Sequence, residues 1–102
     1  MDDLKFTVTS QVFKKALDND EYLYEMNAVT IFCDISEDLT RQMFSNNEAI
    51  KEILMKSLTG RSDGTYNVQA DCVIVFDFTN TEYNATFKVL HLDVDEVKPL
   101  LH

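Results

Sequence analysis

The chain has 102 residues, 45% of them hydrophobic, with only two glycines and one proline, a composition that argues against a disordered tail and for a folded domain. Eighteen acidic residues against nine basic ones leave a formal net charge of -9. That balance disfavours direct binding to nucleic acid or to an anionic membrane and suits a basic protein as partner.

At this length one domain spanning residues 1–102 is expected, burying about two-thirds of its extended-chain surface. No internal repeat stands out, and no apolar run approaches the ~18 residues that would cross a bilayer. Met1-Asp2-Asp3 opens the chain without a basic region ahead of an apolar stretch, so no secretory signal is expected and the assignment is cytoplasmic.

Leu4, Phe6 and Val8 alternate with polar neighbours and predict a short strand. Ser10 then has the character of a helix N-cap, and Val12, Phe13, Ala16 and Leu17 share one helical face. Asp18-Asn19-Asp20 predicts a turn. Glu21–Ser36 reads as one long strand bulged near Asn27, although Tyr22, Leu23, Tyr24 and Met26 fit a helix as well as a strand. Ser36 followed by Glu37 and Asp38 starts a helix with Leu39, Met43 and Phe44 inside. Ser45-Asn46-Asn47-Glu48 has the form of a capping box, and Ile50, Ile53, Leu54 and Leu58 continue an apolar stripe to Gly60.

Two strands follow, Thr65–Phe78 and Tyr83–Val94, joined by Thr79-Asn80-Thr81-Glu82. Setting Phe78 opposite Tyr83 brings Phe76 to Ala85, Ile74 to Phe87, Cys72 to Val89 and Ala70 to His91 on an apolar face. Pro99 excludes a central strand at the C-terminal end. The expected fold is α+β, a mainly antiparallel four-stranded sheet with helices packed on one face, in the order β-α-β-α-β-β.

The second sheet face is not clean. Phe32, Val73, Val75, Leu90 and Leu92 fall on it, where an antiparallel sheet with a wet face should be polar. Either the first helix and the C-terminal tail cover this face, or a second copy does.

Site chemistry is sparse. Asp93 and Asp95 would point the same way on a strand, but no glycine-bearing calcium loop or further ligand accompanies them. Asp77 between Phe76 and Phe78 is better explained as a charge that breaks a sticky run than as a general acid. His91 is expected to be a core histidine. Cys33 and Cys72 read as free buried thiols, a disulfide between neighbouring strands being the alternative. The Asn84-Ala85-Thr86 sequon would matter only in a secreted chain. Neither cysteine sits in a zinc spacing, and two glycines cannot build a phosphate loop. No enzyme, metal or cofactor is expected.

The acids themselves are grouped: Asp18, Asp20 and Glu21 with Glu25; Asp34 with Glu37 and Asp38; and Asp93, Asp95 and Glu96. The leading expectation is a small acidic interaction protein that inhibits a basic, nucleic-acid-binding protein, with carboxylates imitating phosphates. Small acidic folds of this kind occur among phage-encoded inhibitors of host defence, a likeness of class and not of sequence. The alternative is a homodimeric structural or assembly module pairing through the mixed sheet face.

Overall fold

A computed structural model describes residues 4–44, 48–79 and 82–98. Four strands, β1 (Leu4–Ala16), β2 (Tyr22–Cys33), β3 (Gly64–Thr79) and β4 (Glu82–Glu96), form one antiparallel sheet in the spatial order β2-β1-β3-β4. Between β2 and β3 run the helical segments α1 (Glu37–Phe44) and α2 (Glu48–Ser57). The fold is therefore α+β, but the order departs from the expected one. The residues after Ser10 do not form a helix; they continue β1 as a single strand of 13 residues.

The reason lies in the face that β1 presents. Phe6, Val8, Ser10, Val12 and Lys14 alternate along it, and all are buried. Two polar residues in that row disguise the strand periodicity, and each has a defined hydrogen-bonding role. Ser10 Oγ donates to the Asn27 carbonyl oxygen at 3.0 Å, where β2 bulges. Lys14, only 3% exposed, donates from Nζ to the carbonyl oxygens of Leu58 at 3.0 Å and Arg61 at 2.9 Å. Those carbonyls lie just beyond α2, so Lys14 supplies donors and positive charge where a helix terminus lacks both. Its Nζ also lies 4.5 Å from the centre of the Tyr22 ring, a favourable cation–aromatic arrangement.

Asp18-Asn19-Asp20 makes the expected turn, as a short 3-10 segment with Asn19 and Asp20 at positive φ, which Asn and Asp tolerate best among non-glycine residues. The Tyr22–Met26 stretch is strand, not helix. Thr9 pairs with Thr30 and Gln11 with Asn27, so Ser10 opposes both Ala28 and Val29 in a β-bulge at the place the sequence suggested. The bulge reverses the parity of β2. Tyr24 and Met26 face the core before it, Ile31 and Cys33 after it, and Val29 is left exposed.

Ala28 sits at φ 52°, a left-handed conformation that alanine resists. Ala28→Gly is expected to raise stability by about 0.5–1 kcal/mol, because relief of roughly 1–2 kcal/mol of backbone strain exceeds glycine's added unfolded-state entropy. Urea unfolding measures it, and a destabilised variant would contradict this backbone geometry.

The core lies between one sheet face and the helical layer. Phe6, Val8 and Val12 of β1 and Tyr66, Val68, Ala70, Cys72 and Ile74 of β3 meet Phe44, Ile50, Leu54 and Leu58. At one end the rings of Phe6, Phe44 and Phe87 cluster, with Phe6 4.9 Å from Phe44 and 5.7 Å from Phe87. At the other end the segment after α2 is tied down. Gly60 takes φ 80°, Tyr66 Oη donates to the Ser62 carbonyl oxygen at 2.7 Å, and Asp63 accepts the Ala16 amide at 3.0 Å. α1 starts directly after Ser36, and α2 at Glu48. The rest of the Ser45–Glu48 capping box, the tip of the β3–β4 turn and the tail from Pro99 lie outside the described residues.

Candidate interaction surfaces

The β3–β4 register follows the expected pairing from Phe78 opposite Tyr83 down to Cys72 opposite Val89. It then shifts. Asp71 pairs with His91 and Ala70 with Leu92, so Leu90 is an extra residue and β4 carries its own bulge. Two expectations change as a result. His91 is not a core residue beside Ala70 but an exposed one on the outer face, with Nε2 3.2 Å from Asp93 Oδ2. Leu92 moves the opposite way, off the outer face and onto the helix side, where with Ile53, Phe87 and Val89 it lines a groove of about 480 Å³ between α2 and β4.

The outer face can be read in rows across the strands, because paired residues share a face. Asn27, Gln11, Asn67 and Asp95 make one row, and Thr30, Thr9, Gln69 and Asp93 the next. Phe32, Thr7, Asp71 and His91 follow, with Thr7 Oγ1 donating to Asp71 Oδ1 at 2.9 Å. In the row after that, Val73 lies between Lys5 and Lys88. Of the residues expected to form a dimer face, Phe32 and Leu90 are 59% and 58% exposed. Val73 is 6% exposed, and the aliphatic stems of the two flanking lysines are suited to cover it. Val75 is half-buried. The first helix that was to cover this face does not exist. α2 packs on the other side of the sheet, against the core face.

All ten grouped acids are exposed. Asp18, Asp20, Glu21 and Glu25 lie at the end of the sheet where β1 turns into β2; on the opposite edge strand Asp95 and Glu96 are level with Gln11 and Val12, and Asp93 is level with Thr9 at mid-sheet. Asp34, Glu37 and Asp38 follow the other end of β2, beyond Cys33. The molecule measures 56 × 31 × 22 Å, and the acids are spread along the strand direction from the β1–β2 turn to the end of β2. Glu37 is 3.8 Å from Arg41 in an exposed pair, worth little against solvent.

No triad of His, Cys, Asp or Glu among the described residues is placed to hold a metal ion. His91 and Asp93 touch, but Asp77 lies six positions further along β3, opposite Asn84, about 20 Å away at strand rise. Cys33 and Cys72 both pair with Phe6, one from each side, so two strand spacings of nearly 5 Å separate them and a disulfide cannot close. Both are free. Burial pushes the Cys72 thiol up to about 11, with the Asp71 charge adding to it, and burial also raises Cys33. Neither therefore carries the thiolate that a nucleophile needs at neutral pH.

Comparison with protein-family models, with curated protein sequences and with solved structures found no match. No described helix is long and apolar enough to cross a membrane.

Sequence reasoning missed Lys14, which stands in the chain as an ordinary surface-type lysine. It also missed the groove beside β4. The one available signal was the run Val89-Leu90-His91-Leu92, whose apolar residues break strict alternation at the place where a bulge is needed.

Proposed function

We propose that this is a small, non-enzymatic, acidic interaction protein that binds and inhibits a basic, nucleic-acid-binding protein in the cytoplasm, presenting carboxylates where that partner expects phosphates. The observation that carries the reading is that every one of the ten grouped acids is solvent-exposed. Six of them, Asp18, Asp20, Glu21, Glu25, Asp95 and Glu96, lie in the half of the molecule where β1 turns into β2, and Asp93 lies at mid-sheet, level with Thr9. Carboxylates on a rigid sheet can meet a basic groove with little ordering cost, and a net charge of -9 steers such an encounter. The phage-encoded inhibitors of host defence remain the class analogy.

The test is binding to candidate basic proteins captured from host extract, followed by charge reversal. Asp18→Lys, Asp20→Lys and Glu21→Lys together should weaken binding by at least about 100-fold, or some 3 kcal/mol. Affinity should also fall steeply as salt rises. Binding that ignores both would end the electrostatic reading. A homodimer through the mixed outer face is the second reading, favoured by the exposure of Phe32 and Leu90 and weakened by the cover over Val73 and the transfer of Leu92 to the other face.

A further inference from the structure

β4 is an edge strand of 15 residues, and edge strands of that length are normally shortened, charged throughout or covered. On its helix side Val89 and Leu92 are 45% and 39% exposed, lining the open groove beside α2. Among the described residues a free backbone edge and an uncovered apolar stripe thus coincide on one strand, which is the arrangement used for adding a further strand.

The bulge decides which strand fits. Val89 faces the helix side opposite Cys72, and Leu92 faces the helix side opposite Ala70. Leu90 and His91 together fill the intervening outer-face position, with Leu90 sharing a surface cavity with Lys5, Thr7 and Asp71. Positions equally far from this point therefore share a face. Phe87 matches Val94 and Val89 matches Leu92 on the helix side; Lys88 matches Asp93 and Thr86 matches Asp95 on the outer side. A second β4 running antiparallel about a twofold axis through Leu90 and His91 would meet like with like on the apolar side and lysine with aspartate on the other. Any other register sets one copy's bulge against a regular stretch and turns apolar residues toward polar ones beyond it.

We propose that this chain dimerises edge to edge through β4 in that register. The two four-stranded sheets become one continuous sheet with both helical layers on the same side. The grooves beside the two α2 segments merge into a single apolar channel, burying Val89 and Leu92 of each copy. Lys88 of each copy pairs with Asp93 of the other. This surface is distinct from the outer face and does not depend on the identity of any basic partner.

Sedimentation velocity of the full chain over a concentration series tests the proposal. A reversible dimer is expected. Lys88→Asp and Asp93→Lys should each weaken it at least about tenfold by opposing like charges across the pair, and the double variant should restore it. Circular dichroism confirms that each variant is folded. Amide exchange gives an independent reading, with protection along residues 87–94 rising with protein concentration. A chain that stays monomeric throughout would overturn the proposal. So would a dimer indifferent to both single substitutions, or one lost on Phe32→Asp but retained in Lys88→Asp, since the latter pattern belongs to the outer face.

Discussion

Replacing Lys14 with alanine is expected to cost about 3 kcal/mol of folding stability, the size of effect associated with losing hydrogen bonds from a buried charged donor together with its packed stem, although the Leu58 carbonyl oxygen keeps the Arg61 amide at 3.1 Å. The residue is 3% exposed, and its Nζ serves two carbonyl oxygens, those of Leu58 and Arg61. Removing it takes away the donors and the stem that packs near Tyr22 together. Lys14→Met separates the two contributions, since methionine keeps most of the stem but donates nothing. It should still cost about 2 kcal/mol, the loss of the charged donor to the Arg61 and Leu58 carbonyl oxygens outweighing the packing retained. Urea titration at unchanged m-value measures both variants. A methionine variant as stable as the parent would show that water reaches these carbonyls without the lysine.

The second large effect concerns the helical layer. Leu54 is fully buried at the centre of the core, among Val8, Val12, Val68 and Ile74. Leu54→Ala should cost about 3–5 kcal/mol, the lost transfer energy plus an unfilled cavity. Met55, next along α2 and 39% exposed, supplies the control. Met55→Ala should change stability by no more than about 0.5 kcal/mol. Equal losses at the two positions would mean that α2 presents a different face to the sheet.

The sequence allowed much of this fold to be read, and the failures have physical causes. The β3–β4 hairpin was legible because its turn and its alternating apolar residues agree on one register. The reading failed only past Leu90, where a bulge costs one residue of register and leaves no composition signal beyond a broken alternation. The α2 stripe was legible from helical spacing. β1 was half lost because Ser10 and Lys14 occupy core positions. A serine before an apolar run looks like a helix cap, whereas this one bonds to a bulge carbonyl of the neighbouring strand. A lysine inside a strand looks like a surface residue, whereas this one closes the end of a helix 44 positions further on. Both are tertiary arrangements that local pattern cannot express. As for the candidate surface, the grouping of the acids was visible in the chain, but their spread along the sheet required the strand order and register.

The position of β1 between β2 and β3 also governs when the chain can fold. Its pairing with β2 needs only the turn at Asp18–Asp20, but its pairing with β3 joins Lys14 to Gly64 and Leu4 to Ile74, separations of 50 and 70 residues (64 − 14 and 74 − 4). Contacts that distant slow folding, since a long loop must close before they contribute. During synthesis the β1–β2 hairpin leaves the ribosome before α2 and β3, with Phe6, Val8 and Val12 uncovered until those follow. That interval is when the chain is most exposed to misassociation, and when a chaperone holding the hairpin would matter most.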